Sequence, residues 1–123
     1  MSVKNQSILV IGGAGYIGSH IVVDLCDQGF DVTVFDNLST GHKINIDSRA
    51  NFIEGDILNP DDLHSLFQSL FTTVFHFAAL KAAGESMLEP GKYATANITG
   101  TINILNQMVE NSVKNIIFSS TAA

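Results

Sequence analysis

Gly12, Gly15 and Gly18 recur at every third position directly after the apolar run Ser7-Ile8-Leu9-Val10-Ile11. A glycine turn that joins a strand to a helix is suited to holding a dinucleotide. Glycine permits positive φ and a close approach of the backbone to the ligand. The free N–H groups of the new helix then face a pyrophosphate. The spacing is G-x-x-G-x-x-G rather than the G-x-G-x-x-G of the standard fingerprint, and on its own it argues first for a plain tight turn. Asp36 changes the balance. It ends the next β-branched run about 20 residues on, where an acid meets the adenosine ribose hydroxyls. A carboxylate accepts two hydrogen bonds from a diol and repels a 2′-phosphate. No arginine adjoins Asp36, so NAD fits better than NADP. Alone, Asp36-Asn37 is equally a turn-forming pair; together with the glycines, it reads as a cofactor contact.

Other candidates stand where later apolar runs end. Asp56 can accept from an adenine amino group while Ile57 packs on the ring, and an ordinary strand-end turn explains the pair as well. The small residues of Phe77-Ala78-Ala79 let backbone lie against a cofactor, or simply pack closely. Lys81 can balance pyrophosphate charge or meet a polar nicotinamide edge, or remain solvated. His76, inside an apolar strand, suits a hydrogen-bonded core position better than a catalytic one. His20, His42 and His64 are scattered, and no Cys/His/acid cluster has metal-ligand spacing. Asp61-Asp62 and Glu85 read as helix-end and solvent-facing charge rather than a catalytic carboxylate pair.

These residues need a scaffold, and the periodicities supply one. Strands are predicted at 7–11, 31–35, 51–54, 72–77 and 114–119. Helices are predicted at about 15–27, from an Asn59 cap with Pro60 in the first turn, and from Pro90 to Glu110. The expected apolar faces are Ile17, Ile21, Val22 and Leu25 on the first helix, and Leu63, Leu66, Phe67 and Leu70 on the second. On the third they are Ala94, Ile98, Ile102, Leu105 and Val109 with Met108. Gly29 is the expected stop of the first helix. Residues 36–50 read as a long loop with one helical turn. Alternating strands and helices predict an α/β fold, a Rossmann-like doubly wound parallel sheet of order 3-2-1-4-5 that stops after strand five. Its ligand site lies at the carboxyl ends of the strands.

The totals narrow the function classes. Hydrophobic residues make up 46% of the 123 residues and charged residues 15%, which suits one folded domain. A net charge of −6 argues against a nucleic-acid partner. The apolar runs are too short for a membrane span, and the short lead into strand one leaves no room for a signal peptide. The lone cysteine, Cys26, reads as a small core residue. The expectation is a cytoplasmic protein.

With these residues placed, the chain resembles the amino-terminal part of the UDP-glucose 4-epimerase (UDP-galactose 4-epimerase) family, extended short-chain dehydrogenases/reductases. Gly12-Gly13-Ala14-Gly15-Tyr16-Ile17-Gly18-Ser19-His20 resembles the family's cofactor loop, and Phe35-Asp36-Asn37-Leu38-Ser39-Thr40-Gly41 its ribose-binding segment. Gly55-Asp56-Ile57 resembles its adenine-contacting segment. Phe77-Ala78-Ala79-Leu80-Lys81-Ala82-Ala83-Gly84-Glu85-Ser86 is the most specific match, and Phe118-Ser119-Ser120-Thr121-Ala122 resembles the segment whose Ser/Thr assists catalysis. The resemblance implies bound NAD, which takes hydride from C4 of a UDP-hexose and returns it to the other face of the 4-keto sugar. It implies that Thr121 hydrogen-bonds the 4-oxygen and that Lys81 holds the cofactor and favours a tyrosine phenolate.

The family's Tyr-x-x-x-Lys base has no counterpart, because Tyr16 and Tyr93, the two tyrosines, are followed four residues on by His20 and Asn97. Ile11 replaces a usual Thr, and Ala96 the first of a usual Asn pair that leaves only Asn97 to tie strand to cofactor-side backbone. The expectation is a single NAD-binding domain over residues 1–123 without a substrate domain, inactive by itself. A non-enzymatic NAD-binding module, an inert self-associating product and part of a related sugar-nucleotide dehydratase are the alternatives. An exposed fifth strand and the long third helix predict a homodimer or swapped assembly.

Overall fold

The computed structural model describes residues 6–14, 16–38, 43–77 and 90–118, with the side chains at 16 and 90–96 outside that description. Strands β1 (Ser7–Ile11), β2 (Asp31–Asp36), β3 (Asn51–Glu54), β4 (Thr73–His76) and β5 (Asn115–Phe118) alternate with helices α1 (Tyr16–Asp27), α2 (Pro60–Leu66) and α3 (Pro90–Glu110). A 3₁₀ turn, Lys43–Asn45, lies in the loop between β2 and β3. The strands form one parallel sheet of order β3-β2-β1-β4-β5, as the alternation predicted. Ile11 stands opposite both Phe35 and His76, so the carboxyl ends of the three central strands are level.

The continuous apolar run of β1 follows from burial on both faces. Leu9 and Ile11 join Phe35, Val74, Leu63, Leu66, Phe67, Ile104 and Met108 beneath α2 and α3. Ile8 and Val10 join Val32, Val34, Val22, Leu25 and Cys26 beneath α1. Asn59 caps α2, its Oδ1 accepting from the N–H groups of Asp61 and Asp62. The end of α1 is closed by hydrogen bonds from Gly29 N to Cys26 O and from Phe30 N to Leu25 O, the paired arrangement expected at such a stop.

Three expected helix faces are corrected. Ile17, in the first turn of α1, is 49% exposed. Leu70 is exposed because α2 ends at Leu66, with Phe67 as its cap. On α3, Ile98, Ile102, Leu105 and Val109 are exposed, and Met108 alone of the described expected residues is buried. The inward face is instead Gly100, Ile104 and Met108, flanked by Thr101 and Asn103. Those polar side chains are hydrogen-bonded to His76 and to the Ile57 carbonyl, so a count of apolar residues selects the wrong face. Ala94 lies outside the described side chains.

Candidate functional site

Three turns meet at the carboxyl edge of the sheet. The first is the glycine turn. Gly12 has φ 86° and donates its N–H to Phe35 O at 2.8 Å, a conformation that L side chains rarely adopt. A Cβ at Gly18 would fall on the Gly12 carbonyl oxygen and within 2.9 Å of Gly13 Cα. Glycine at 18 therefore lets α1 close onto the turn, with the start of the helix at the sheet edge. Ile17 stands exposed beside it.

Asp36 ends β2 and ties the turns together. Its Oδ2 accepts from Ala14 N at 2.9 Å, and its Oδ1 accepts from Leu38 N at 2.7 Å. Its backbone carbonyl accepts from Gly55 N at 3.1 Å. Leu38, at φ 61°, turns the chain away, and Asn37 is exposed. The sequence pattern reads Asp36 as a ribose contact and gives no sign of its bond to the glycine turn. An ionised carboxylate offers about four acceptor sites, so the two bonds leave capacity for a diol.

The third turn follows β3. Asp56 Oδ1 accepts from Leu58 N at 2.9 Å, and Asp62 Oδ2 accepts from Asp56 N at 3.0 Å. Gly55 lies against Phe35, where a Cβ would fall 2.5 Å from a ring carbon. Ile57 is half-buried, its side chain against α3 at Gly100. Asp62 carries a sequence signal that went unused: it stands three residues after the Asn59 cap, where a side chain reaches back to the preceding backbone. Asn103, bonded to Ile57 O, carries no such signal.

Further along the edge, Phe77 N donates to Ile11 O at 2.7 Å, and its ring stacks with Phe75. His76 is buried, with Nε2 3.3 Å from Thr101 Oγ1 and the Phe118 ring beside it. Its Nδ1 has no partner among the described residues, and burial pushes its pKa down. This is the core histidine the pattern favoured. Asn97 is half-buried on α3. Gly15, Ser39, Thr40, Gly41, Ala78, Ala79, Leu80, Lys81 and Thr121 lie outside the described residues, as do Ser119, Ser120 and Glu85 and the side chain of Tyr16. Among the described residues no group of His, Cys, Asp or Glu has metal-site geometry, and no helix is long and apolar enough to cross a membrane.

A parallel 3-2-1-4-5 sheet with a glycine turn after β1 and an acid at the end of β2 defines a Rossmann-like α/β domain. Residues 8–123 match the NAD dependent epimerase/dehydratase family, and the chain belongs to it. It is 48% identical over 96% of its length to a UDP-glucose 4-epimerase of Lacticaseibacillus casei, covering 36% of that protein. It is 41% identical over 99% of its length to a bifunctional UDP-glucose and UDP-xylose 4-epimerase of Pisum sativum, covering 38% of it. Among solved structures, the Brucella ovis UDP-glucose 4-epimerase in complex with NAD superimposes with a TM-score of 0.86 at 41% identity, over 94% of this chain and 35% of that one. The Thermotoga maritima enzyme with UDP-glucose gives 0.89 at 40% identity, over 94% and 38%. The chain thus spans little more than a third of the length of these relatives.

Proposed function

We propose that this chain is the NAD-binding part of a UDP-hexose 4-epimerase, and that residues 1–123 form its cofactor domain while the UDP-sugar is bound elsewhere in the whole protein. The observation that carries this is the Asp36 carboxylate, fixed 2.9 Å from the N–H of Ala14 in the glycine turn. A carboxylate so held supports a ribose-diol contact beside a turn that favours glycine at 12 by its positive φ and at 18 by close backbone approach. NAD, when bound, supplies the oxidising and reducing equivalent for C4 of the hexose. Gly12, Gly15, Tyr16, Ile17 and Gly18 hold its pyrophosphate. Asp36 through Gly41 take the adenosine ribose, and Asp56 and Ile57 the adenine. Phe77 through Lys81, with Asn97, line the nicotinamide side, and Thr121 hydrogen-bonds the 4-oxygen of the sugar.

The general base is not among these residues, since neither Tyr16 nor Tyr93 has a lysine four positions on. Absence of a base removes about 10²–10⁴ of rate, so this chain alone binds cofactor without turnover. Calorimetric titration with NAD, followed by a coupled UDP-galactose assay, tests both parts. Saturable binding without turnover is the expected result. No binding leaves an inert chain, and clear turnover contradicts the assignment of the base.

Self-association is also part of the proposal. The exposed α3 side chains Ile98, Ile102, Leu105 and Val109, and the half-exposed Ile117 and Phe118 of β5, are apolar surface suited to a homodimer or a swapped assembly. Light scattering that reports only monomer at high concentration contradicts it. The single cysteine, buried on the inward face of α1, suits a cytoplasmic location.

A further inference from the structure

The turn after β3 is held from two helices. On one side α2 supplies Asp62, whose Oδ2 accepts from Asp56 N at 3.0 Å. On the other side α3 reaches across the sheet face. Asn103 Nδ2 donates to Ile57 O at 3.0 Å, and Gly100 lies so close that a Cβ there would fall on Ile57 Cδ1. Gly100 and Asn103 are three residues apart and share one face of α3. The next residue, Ile104, is fully buried and anchors that stretch of helix in the core.

One peptide unit joins these contacts. The Ile57–Leu58 peptide is planar. Its oxygen accepts from Asn103, and its N–H donates to Asp56 Oδ1 at 2.9 Å. Fixing the carbonyl therefore fixes the direction of the N–H. The N–H in turn fixes the rotamer of the Asp56 carboxylate. An arrangement that merely packed α3 against the turn would need Gly100 but not the Asn103 amide.

We infer that Asn103, with Gly100 beneath it, is a positioning residue that orients the Asp56 carboxylate through the Ile57–Leu58 peptide and so sets the preference of the site for a purine carrying a 6-amino group. This rests on the cofactor assignment proposed above. It adds to that assignment a residue on α3 that contacts no ligand itself.

The probe is the ratio of affinities for NAD and for nicotinamide hypoxanthine dinucleotide, measured calorimetrically on this chain. The hypoxanthine analogue turns an oxo group, an acceptor, toward the carboxylate in place of the amino donor. The unmutated chain is expected to favour NAD by about three- to tenfold, the worth of one net hydrogen bond. Asn103→Leu removes the amide and is expected to bring the ratio close to one. A general loosening of the fold weakens both dinucleotides equally and leaves the ratio unchanged, and that result overturns the inference. Gly100→Ala is the second variant. It displaces Ile57 while raising intrinsic helix propensity, and the same fall in ratio is expected. In the unmutated chain, the Asn103 side-chain amide resonance is expected to move on adding NAD but not nicotinamide mononucleotide; an unmoved resonance overturns the inference without any variant. Failure of the unmutated chain to bind NAD removes the cofactor assignment as well, whereas NAD binding with an unaltered ratio in the variants removes this inference alone.

Discussion

Asp36 ends β2 and Asp56 stands in the turn just after the neighbouring β3, and the backbone treats them in opposite ways. Asp36 is a giver of order: each carboxylate oxygen accepts a backbone N–H from a different segment, Ala14 in the glycine turn and Leu38 in its own. Asp56 is a receiver of order. Its carboxylate closes only its own short turn onto Leu58, while Asp62 from α2 and Asn103 from α3 hold the backbone around it. The difference follows from position. Asp36 ends an interior strand and is buried among turns that need acceptors, whereas Asp56 follows β3, the edge strand of the sheet among the described residues. Two residues that look alike at strand ends therefore fail differently when altered.

Asp36→Ala has the largest expected effect. It leaves the buried Ala14 N–H without its acceptor, about 1–3 kcal/mol of stability, and removes charge-assisted bonds to a ribose, about ten- to a hundredfold in NAD affinity. Chemical denaturation and calorimetry read the two losses separately; a loss of affinity with unchanged stability would break the bracing role of Asp36. Asp62→Ala comes next. It removes the acceptor for Asp56 N–H and is expected to cost about 1 kcal/mol and about threefold in NAD affinity. Asp62→Asn keeps an acceptor oxygen and recovers part of both. Equal effects of Asp36→Ala and Asp62→Ala on affinity would erase the distinction between the two turns.

A smaller effect comes from His76 on the same edge. Burial lowers its folded-state pKa below the ordinary 6.5, so the unfolded chain takes up its proton first. Its contribution is intact above that value and is lost as pH falls through it. Thermal midpoints measured on either side of pH 6.5 are expected to drop on the acid side, and His76→Phe is expected to flatten that part of the profile. The smallest effect belongs to Arg49, a half-exposed side chain paired with the exposed Asp27 and the more enclosed Asp47. Its hydrogen bonds hold the Asp47 carboxyl at about 2, yet solvent screens such pairs. Arg49→Ala is expected to leave the thermal midpoint near its original value.

Most of the frame was legible in the sequence because its signals are local. The Ser7–Ile11 run, the Asn59-Pro60 start and the Gly29 stop each specify backbone geometry over a few residues, and the structure has β1, α2 and the end of α1 there. The buried face of α3 was not legible. Its inward side uses Gly100, Thr101 and Asn103, which acquire their value only from a histidine and a carbonyl distant in the chain. The apolar count followed Ile98, Ile102, Leu105 and Val109 to the exposed side. In the candidate site, Gly12, Gly18 and Asp36 announced themselves by type and spacing. The bond from Ala14 to Asp36 and the reach of Asn103 did not, because no spacing rule connects segments that meet only through the sheet.

The edge formed by the glycine turn and Asp36 is proposed as a site for NAD. Parallel calorimetric titrations of this chain with NAD and with NADP test it most directly. A carboxylate at the ribose position accepts from a 2′-hydroxyl and repels a 2′-phosphate. The expected result is clear binding of NAD, weaker binding of NADP, and a narrower gap between them in Asp36→Asn. Equal or tighter binding of NADP by the unmutated chain would contradict the placement of Asp36 against the ribose, and no binding of either would contradict the site itself.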